Sequence, residues 1–173
     1  MPNGTRIKKR NNSYIILDGI YNGELYTPTH TIENLYIRRV EHKYHKLTLT
    51  LNITNNILTI PHIGDIKIVL YKKFITHKKY RIMIPFYKHT KIPKIYLDES
   101  KNGSRFAETW FQLNSVKCEV TDSFIHFGTY SKGCITIPKS KGKYAETNWN
   151  KIYSVLMNSR IDSSTLAWLK IVV

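Results

Sequence analysis

The sequence predicts a mainly β fold with a minor α component. Three observations point there. Residue usage favours strands, with 12 Tyr, frequent Ile, Val and Thr, and few Ala. Residues 47–53, Leu-Thr-Leu-Thr-Leu-Asn-Ile, alternate strictly between apolar and polar, so one face is buried and the other wet. Short apolar runs are punctuated by turn residues such as Asn22-Gly23 and Asn55-Asn56, the pattern of a β-meander. At 173 residues and 42% hydrophobic content, residues 1–173 make one domain with one core.

The elements follow in order. Residues 1–12 are polar and basic and should fray. Residues 13–17 are apolar. Asp18-Gly19 and Asn22-Gly23 turn the chain around 20–21 and 24–26, and Pro28 closes that unit. Further strands are expected at 35–39, 46–53, 57–60, 66–71 and 80–84. Residues 88–104 contain Pro93, Asp98-Glu99-Ser100 and Asn102-Gly103 and read as a loop. Residues 105–113 form either a short helix or a strand. Val116, Cys118 and Val120 alternate, which points Cys118 into the core as a small hydrophobe. Thr121-Asp122-Ser123 should turn. Trp149, Ile152, Tyr153, Leu156 and Met157 recur at helical spacing, so 149–160 is a helix. Thr147 or Asn148 would cap it, and Arg160 in its last turn suits the dipole. A final strand occupies 169–173.

Charge and motifs bound the function. The net charge is +15. Residues 1–101 hold 18 Lys and Arg against 7 Asp and Glu, whereas 102–173 hold 9 against 5. Such a basic chain favours polyanions. Tyr71, Phe74, Tyr80, Phe86 and Tyr87 interleave with Lys72, Lys73, His77, Lys78 and Lys79, as in a stacking surface for single-stranded nucleic acid, although aromatics at strand spacing are more often core. The N-terminus lacks the apolar core of a signal peptide, so the expected location is cytoplasmic, or extracytoplasmic by a non-classical route. No stretch approaches the ~20 apolar residues of a membrane span. Cys118 and Cys134 make neither a disulfide framework nor a zinc pattern. No phosphate-binding or dinucleotide loop is present, so neither cofactor nor metal is expected.

The densest chemistry lies in residues 123–138, Ser-Phe-Ile-His-Phe-Gly-Thr-Tyr-Ser-Lys-Gly-Cys-Ile-Thr-Ile-Pro. Two β-rich runs, 124–127 and 134–137, flank a small-residue turn, the sequence form of a hairpin. An odd loop sets His126 opposite Cys134; a regular two-residue loop puts them on opposite faces. Gly128 and Gly133 make a bulged turn easy. A thiol attacks carbonyls as thiolate, and a neighbouring imidazole takes its proton. Around it, Arg105 and Gln112 are candidate donors to a peptide substrate, while Trp110 and Phe111 fit core positions.

The stretch resembles the catalytic motif of L,D-transpeptidases (the YkuD-type domain), in which a strand histidine precedes a Ser/Thr-His-Gly-Cys-apolar run. His126 matches the first histidine, and Ser131, Gly133, Cys134 and Ile135 match the run. Lys132 stands at the second histidine, and the His-to-Cys gap is shorter than usual. The resemblance covers 105–173. It implies a β-meander leading into a catalytic sheet, then one C-terminal helix and a last strand. It also implies Cys134 as nucleophile, His126 as base and then acid, and an oxyanion hole of Gly133 and Cys134 N–H groups. Ser131 would orient the turn, and Arg105, Trp110, Gln112 and Lys132 would line the substrate. That substrate would be a peptidoglycan stem peptide. The competing expectation is a non-catalytic basic module that binds a wall polymer or nucleic acid.

Overall fold

A computed structural model describes residues 6–17, 22–27, 45–70, 77–86, 88–99, 103–117, 119–130, 132–139 and 144–173. The expected turn at Asp18-Gly19, the segments at 20–21 and 35–39, Pro28, Tyr71 to Phe74, Tyr87, Cys118 and Ser131 lie outside them. The fold is mainly β, as the composition predicts.

Near the N-terminus, β1 (Ile7–Arg10), β2 (Ser13–Ile16) and β3 (Leu25–Tyr26) form an antiparallel sheet. Residues 7–10, expected to fray, are therefore a strand. Asn11, at φ 53°, makes the tight turn that returns the chain, a conformation Asn tolerates better than most residues.

The larger sheet holds β4 (Leu47–Asn52), β5 (Ile57–Ile60), β6 (Gly64–Lys67), β7 (Val69–Leu70), β8 (Lys79–Met83), β9 (Phe111–Ser115), β10 (Val120–Gly128), β11 (Ile135–Pro138) and β12 (Thr165–Val172). Their spatial order is β6-β5-β4-β12-β8-β9-β10-β11-β7. The expected meander is β4 to β6. Asn52 Oδ1 fixes its first turn by accepting from the N–H groups of Thr54 (2.9 Å) and Asn55 (3.0 Å). β12 enters between β4, to which it is parallel, and β8, to which it is antiparallel. It begins at Thr165, earlier than the 169 read from sequence. β6 and β7 terminate opposite ends of the order, yet only Ile68 separates them in the chain. The sheet therefore curls round until β6 lies against β11 and is nearly closed.

Leu47, Leu49 and Leu51 point inward from β4, as their alternation predicts. Two helices are present among the described residues: a four-residue α1 (Lys94–Leu97) inside the expected loop, and α2 (Tyr144–Met157). The α2 stripe Trp149, Ile152, Tyr153, Leu156 and Met157 is buried in the core. Trp149 packs near Phe111 and Phe127, and its indole N–H donates to the Phe106 carbonyl at 3.0 Å. Arg160 lies beyond the helix rather than in it. Its guanidinium donates to the Met157 and Ser159 carbonyls at 2.8 and 2.6 Å, serving acceptors that the helix end leaves open.

Two expectations around the motif are corrected. Thr121-Asp122-Ser123 does not turn; it runs inside β10. The Thr121 hydroxyl donates to the Leu113 carbonyl, and a register shift between Val120 and Phe124 accommodates the polar trio. The second correction is the hairpin. β10 and β11 are parallel, with Ile125 beside Ile135 and His126 beside Thr136. Residues 129–134 must climb back about 10 Å, and six residues reach roughly 20 Å, so no helical crossover is needed. β11 is held in this direction by β7, antiparallel on its far side.

Candidate functional site

Phe111, Leu113, Ile125, Phe127, Ile135 and Ile137 are all buried in the core. The residues between them project from the other face of the sheet. That outer face carries Trp110, Gln112 and Asn114 from the β9 line, Phe124 and His126 from β10, and Thr136 from β11. Stepping back along the parallel register places Cys134 beside Phe124. A hydrogen bond between the Phe124 backbone and the Cys134 sulfur agrees with that placement. His126 and Cys134 therefore share a face as diagonal neighbours, about 7–8 Å apart along the backbone.

His126 is buried and held at both ring nitrogens. Nε2 lies 2.9 Å from Thr136 Oγ1, and Nδ1 lies 3.2 Å from the Phe127 carbonyl. Thr136 Oγ1 in turn donates to the Tyr130 carbonyl at 3.1 Å. Thr136 has one hydroxyl proton. With the imidazole neutral, one link of this chain lacks a hydrogen; with both nitrogens protonated, every link has one. Burial works against that charge. It pulls the His126 pKa down to about 4, with the Phe127 carbonyl opposing and the charge of His89 assisting.

His89 belongs to an aromatic stack. Its ring lies 4.0 Å from Trp110 at 19° between planes, and Trp110 lies 4.3 Å from His126 at 23°. Phe124 meets both His89 and Trp110 edge-on. Burial lowers the His89 pKa as well. The His89 N–H donates to the Glu108 carbonyl at 2.9 Å, and Lys88 pairs with the Glu108 carboxylate at 3.1 Å, which ties this loop to the turn before β9. His89 has no motif around it in sequence, and its ring partner comes from a distant segment.

Cys134 is half-buried. Burial raises its thiol pKa, and the Phe124 hydrogen bond acts in the opposite direction. The resting pair is thus a neutral thiol and a neutral imidazole. Gly133 sits at φ 127°, in the region that favours glycine, and turns the chain into Cys134.

The other candidates are spread more widely. Trp110 covers His126. The Gln112 amide donates to the Thr121 carbonyl at 3.0 Å and braces β9 against β10. Arg105 is exposed, with its guanidinium 4.8 Å from the Phe106 ring and 3.9 Å from the Glu99 carboxylate. Phe106 stacks on Tyr153 of α2, so Arg105 belongs to that side rather than to the histidine stack. Lys132 is exposed, its ammonium 6.0 Å from the Tyr130 ring. Ser131 lies outside the described residues.

No protein-family model matches the chain, and no curated protein matches it. Among the described residues no three His, Cys, Asp or Glu side chains gather to hold a metal. No described helix is long and apolar enough to cross a membrane.

Proposed function

We propose that the chain is a cysteine acyl-transfer enzyme resembling L,D-transpeptidases, acting on peptidoglycan stem peptides. The observation that carries this reading is the parallel β10–β11 register, which sets His126 beside Thr136, two residues after Cys134. Because both groups rest neutral, His126 acts as general base rather than as half of an ion pair. It releases Thr136, takes the thiol proton, and Cys134 Sγ bonds to the peptide carbonyl carbon. The C–N bond breaks as His126 returns the proton to the leaving amine, giving a thioester. A second amine resolves it by transpeptidation, water by hydrolysis. The Phe127 carbonyl, still held by Nδ1, favours the imidazolium formed on the way. Gly133 and Cys134 N–H groups serve as oxyanion donors.

Mass spectrometry on the protein incubated with stem tetrapeptide tests this. The expected adduct is the peptide minus its leaving amine, on Cys134, absent in Cys134→Ala and strongly reduced in His126→Ala. An adduct that forms equally well without His126, or none at all with the unaltered protein, rules the reading out.

A second reading, a basic module binding a polyanion, draws on the +15 charge and on a cluster of lysines at the opposite end of β8 and β9 that form no ion pair among the described residues.

A further inference from the structure

The β8–β9 ladder sets Tyr80 beside Ser115. The chain just before β8 and the turn just after β9 therefore meet at one end of the sheet. His89 and Trp110 lie at the other end of the same two strands. Between the two segments is a pocket of about 390 Å³ whose lining includes His77, Lys78, Lys79, Val116, Lys117 and Glu119. That volume falls in the range of small-ligand sites.

Among the described residues its charge is not balanced. Lys78, Lys79 and Lys117 face one carboxylate, Glu119. The ion pairs among the described residues join Arg81 to Asp162, Lys88 to Glu108 and Arg105 to Glu99, and use none of these lysines. Lys79 instead places its ammonium 4.0 Å from the Trp168 ring. Lys170, beside Lys79 in the β12–β8 register, adds another cation at the margin. With cations outnumbering the one carboxylate, such a concave surface focuses a positive field on an incoming anion.

The kind of anion follows from the side chains. Its described lining has ammonium groups and no guanidinium. Arginine's planar fork binds carboxylate and phosphate alike in a fixed bidentate geometry, whereas lysine acts as a point charge on a flexible stem and can follow the successive phosphate oxygens of a flexible backbone. Val116, 50% exposed, offers an apolar flank for the carbon or sugar part of the ligand.

We propose that this pocket binds the phosphate backbone of a linear polyanion. The proposal rests on the polyanion-binding reading and is independent of Cys134 chemistry. Glu119 limits affinity from its place in the lining.

Fluorescence anisotropy with a labelled oligo-dT tests it, with unlabelled inorganic polyphosphate as competitor. The lysine pair Lys78→Glu/Lys117→Glu is expected to weaken binding at least ~10-fold and to reduce the salt slope by about 1.4, two contacts at about 0.7 each on a single strand. The neutral pair Lys78→Gln/Lys117→Gln should weaken binding in the same direction, and Glu119→Gln should strengthen it. Lys8→Glu/Lys9→Glu, an equal charge change on exposed β1 residues, is expected to lose no more than about 2-fold. Equal losses in the two Glu pairs overturn the pocket while leaving the polyanion reading standing. Failure of the unaltered protein to bind oligo-dT overturns both. Failure of polyphosphate to displace the oligonucleotide overturns the backbone assignment.

Discussion

The Trp110 indole lies flat against the His126 imidazole, ring centroids 4.3 Å apart and planes 23° from parallel. The indole excludes water from one whole face of a ring whose pKa burial has already pulled down to about 4. Trp110→Ala should admit water and let the His126 pKa climb toward 6.5, while Trp110→Phe should keep most of the depression. Titration of the His126 ring signals by NMR reads this directly. A pKa that stays near 4 in Trp110→Ala would show that another group shields the ring.

The same histidine makes stability depend on pH. In the unfolded chain His126 takes up its proton near 6.5, and in the folded protein only near 4. Between those values the unfolded state binds more protons, so acid favours unfolding. The stabilisation is full above about 6.5 and falls away as pH drops toward 4, by about 3 kcal/mol. Urea titrations at several pH values should show this slope in the wild type and a flatter one in His126→Gln. The lowered pKa of His89 adds a loss in the same direction.

Thr136 joins His126 Nε2 to the Tyr130 carbonyl. Thr136→Val keeps the shape and removes both links. A cost of about 1–3 kcal/mol is expected, because a buried ring nitrogen loses its partner. The yield of Cys134 acyl adduct should fall as well, since the ring loses the contact that orients it before the proton is taken. Adduct formation unchanged in this variant would remove Thr136 from the chemistry.

At the far end of the sheet, Asp162 anchors the start of β12. Its carboxylate accepts from the Ser164 N–H and hydroxyl, at 2.9 and 3.0 Å, and from the Thr165 N–H at 2.8 Å, and it pairs with Arg81. Burial raises the Asp162 pKa, but these hydrogen bonds outweigh it and the net shift is downward. Asp162→Ala should cost about 2 kcal/mol by chemical denaturation, and Asp162→Asn less, since an amide oxygen keeps some of the bonds. The Asp162 contribution is present above the ordinary carboxyl pKa and is lost as pH falls below it through the lowered value of the folded protein.

Local pattern made part of this protein readable. Leu47, Leu49 and Leu51 are buried because strict alternation leaves no other core face, and the α2 stripe is buried for the corresponding helical reason. Pattern is silent on strand direction. The two runs around Gly128 to Gly133 satisfy hairpin grammar, and only β7, a two-residue strand from elsewhere in the chain, reveals that β11 is parallel to β10. The site divides the same way. His126, Gly133 and Cys134 stand out by their order, whereas His89 is visible only through its contact with Trp110. Thr121 to Ser123 carry turn chemistry, but a backbone shift between β9 and β10 absorbs them into a strand.

The single residue between β6 and β7 has a wider consequence. An open sheet of nine strands would present two rows of unpaired N–H and C=O groups, each a template for another copy of the chain. Here one terminal strand is only Val69–Leu70, and the other is brought round toward β11 by the chain itself. Cross-molecular strand addition, the route to fibrils and swapped dimers, thus finds little free length to start from. That protection lasts as long as the Ile68 join holds the two ends of the sheet together.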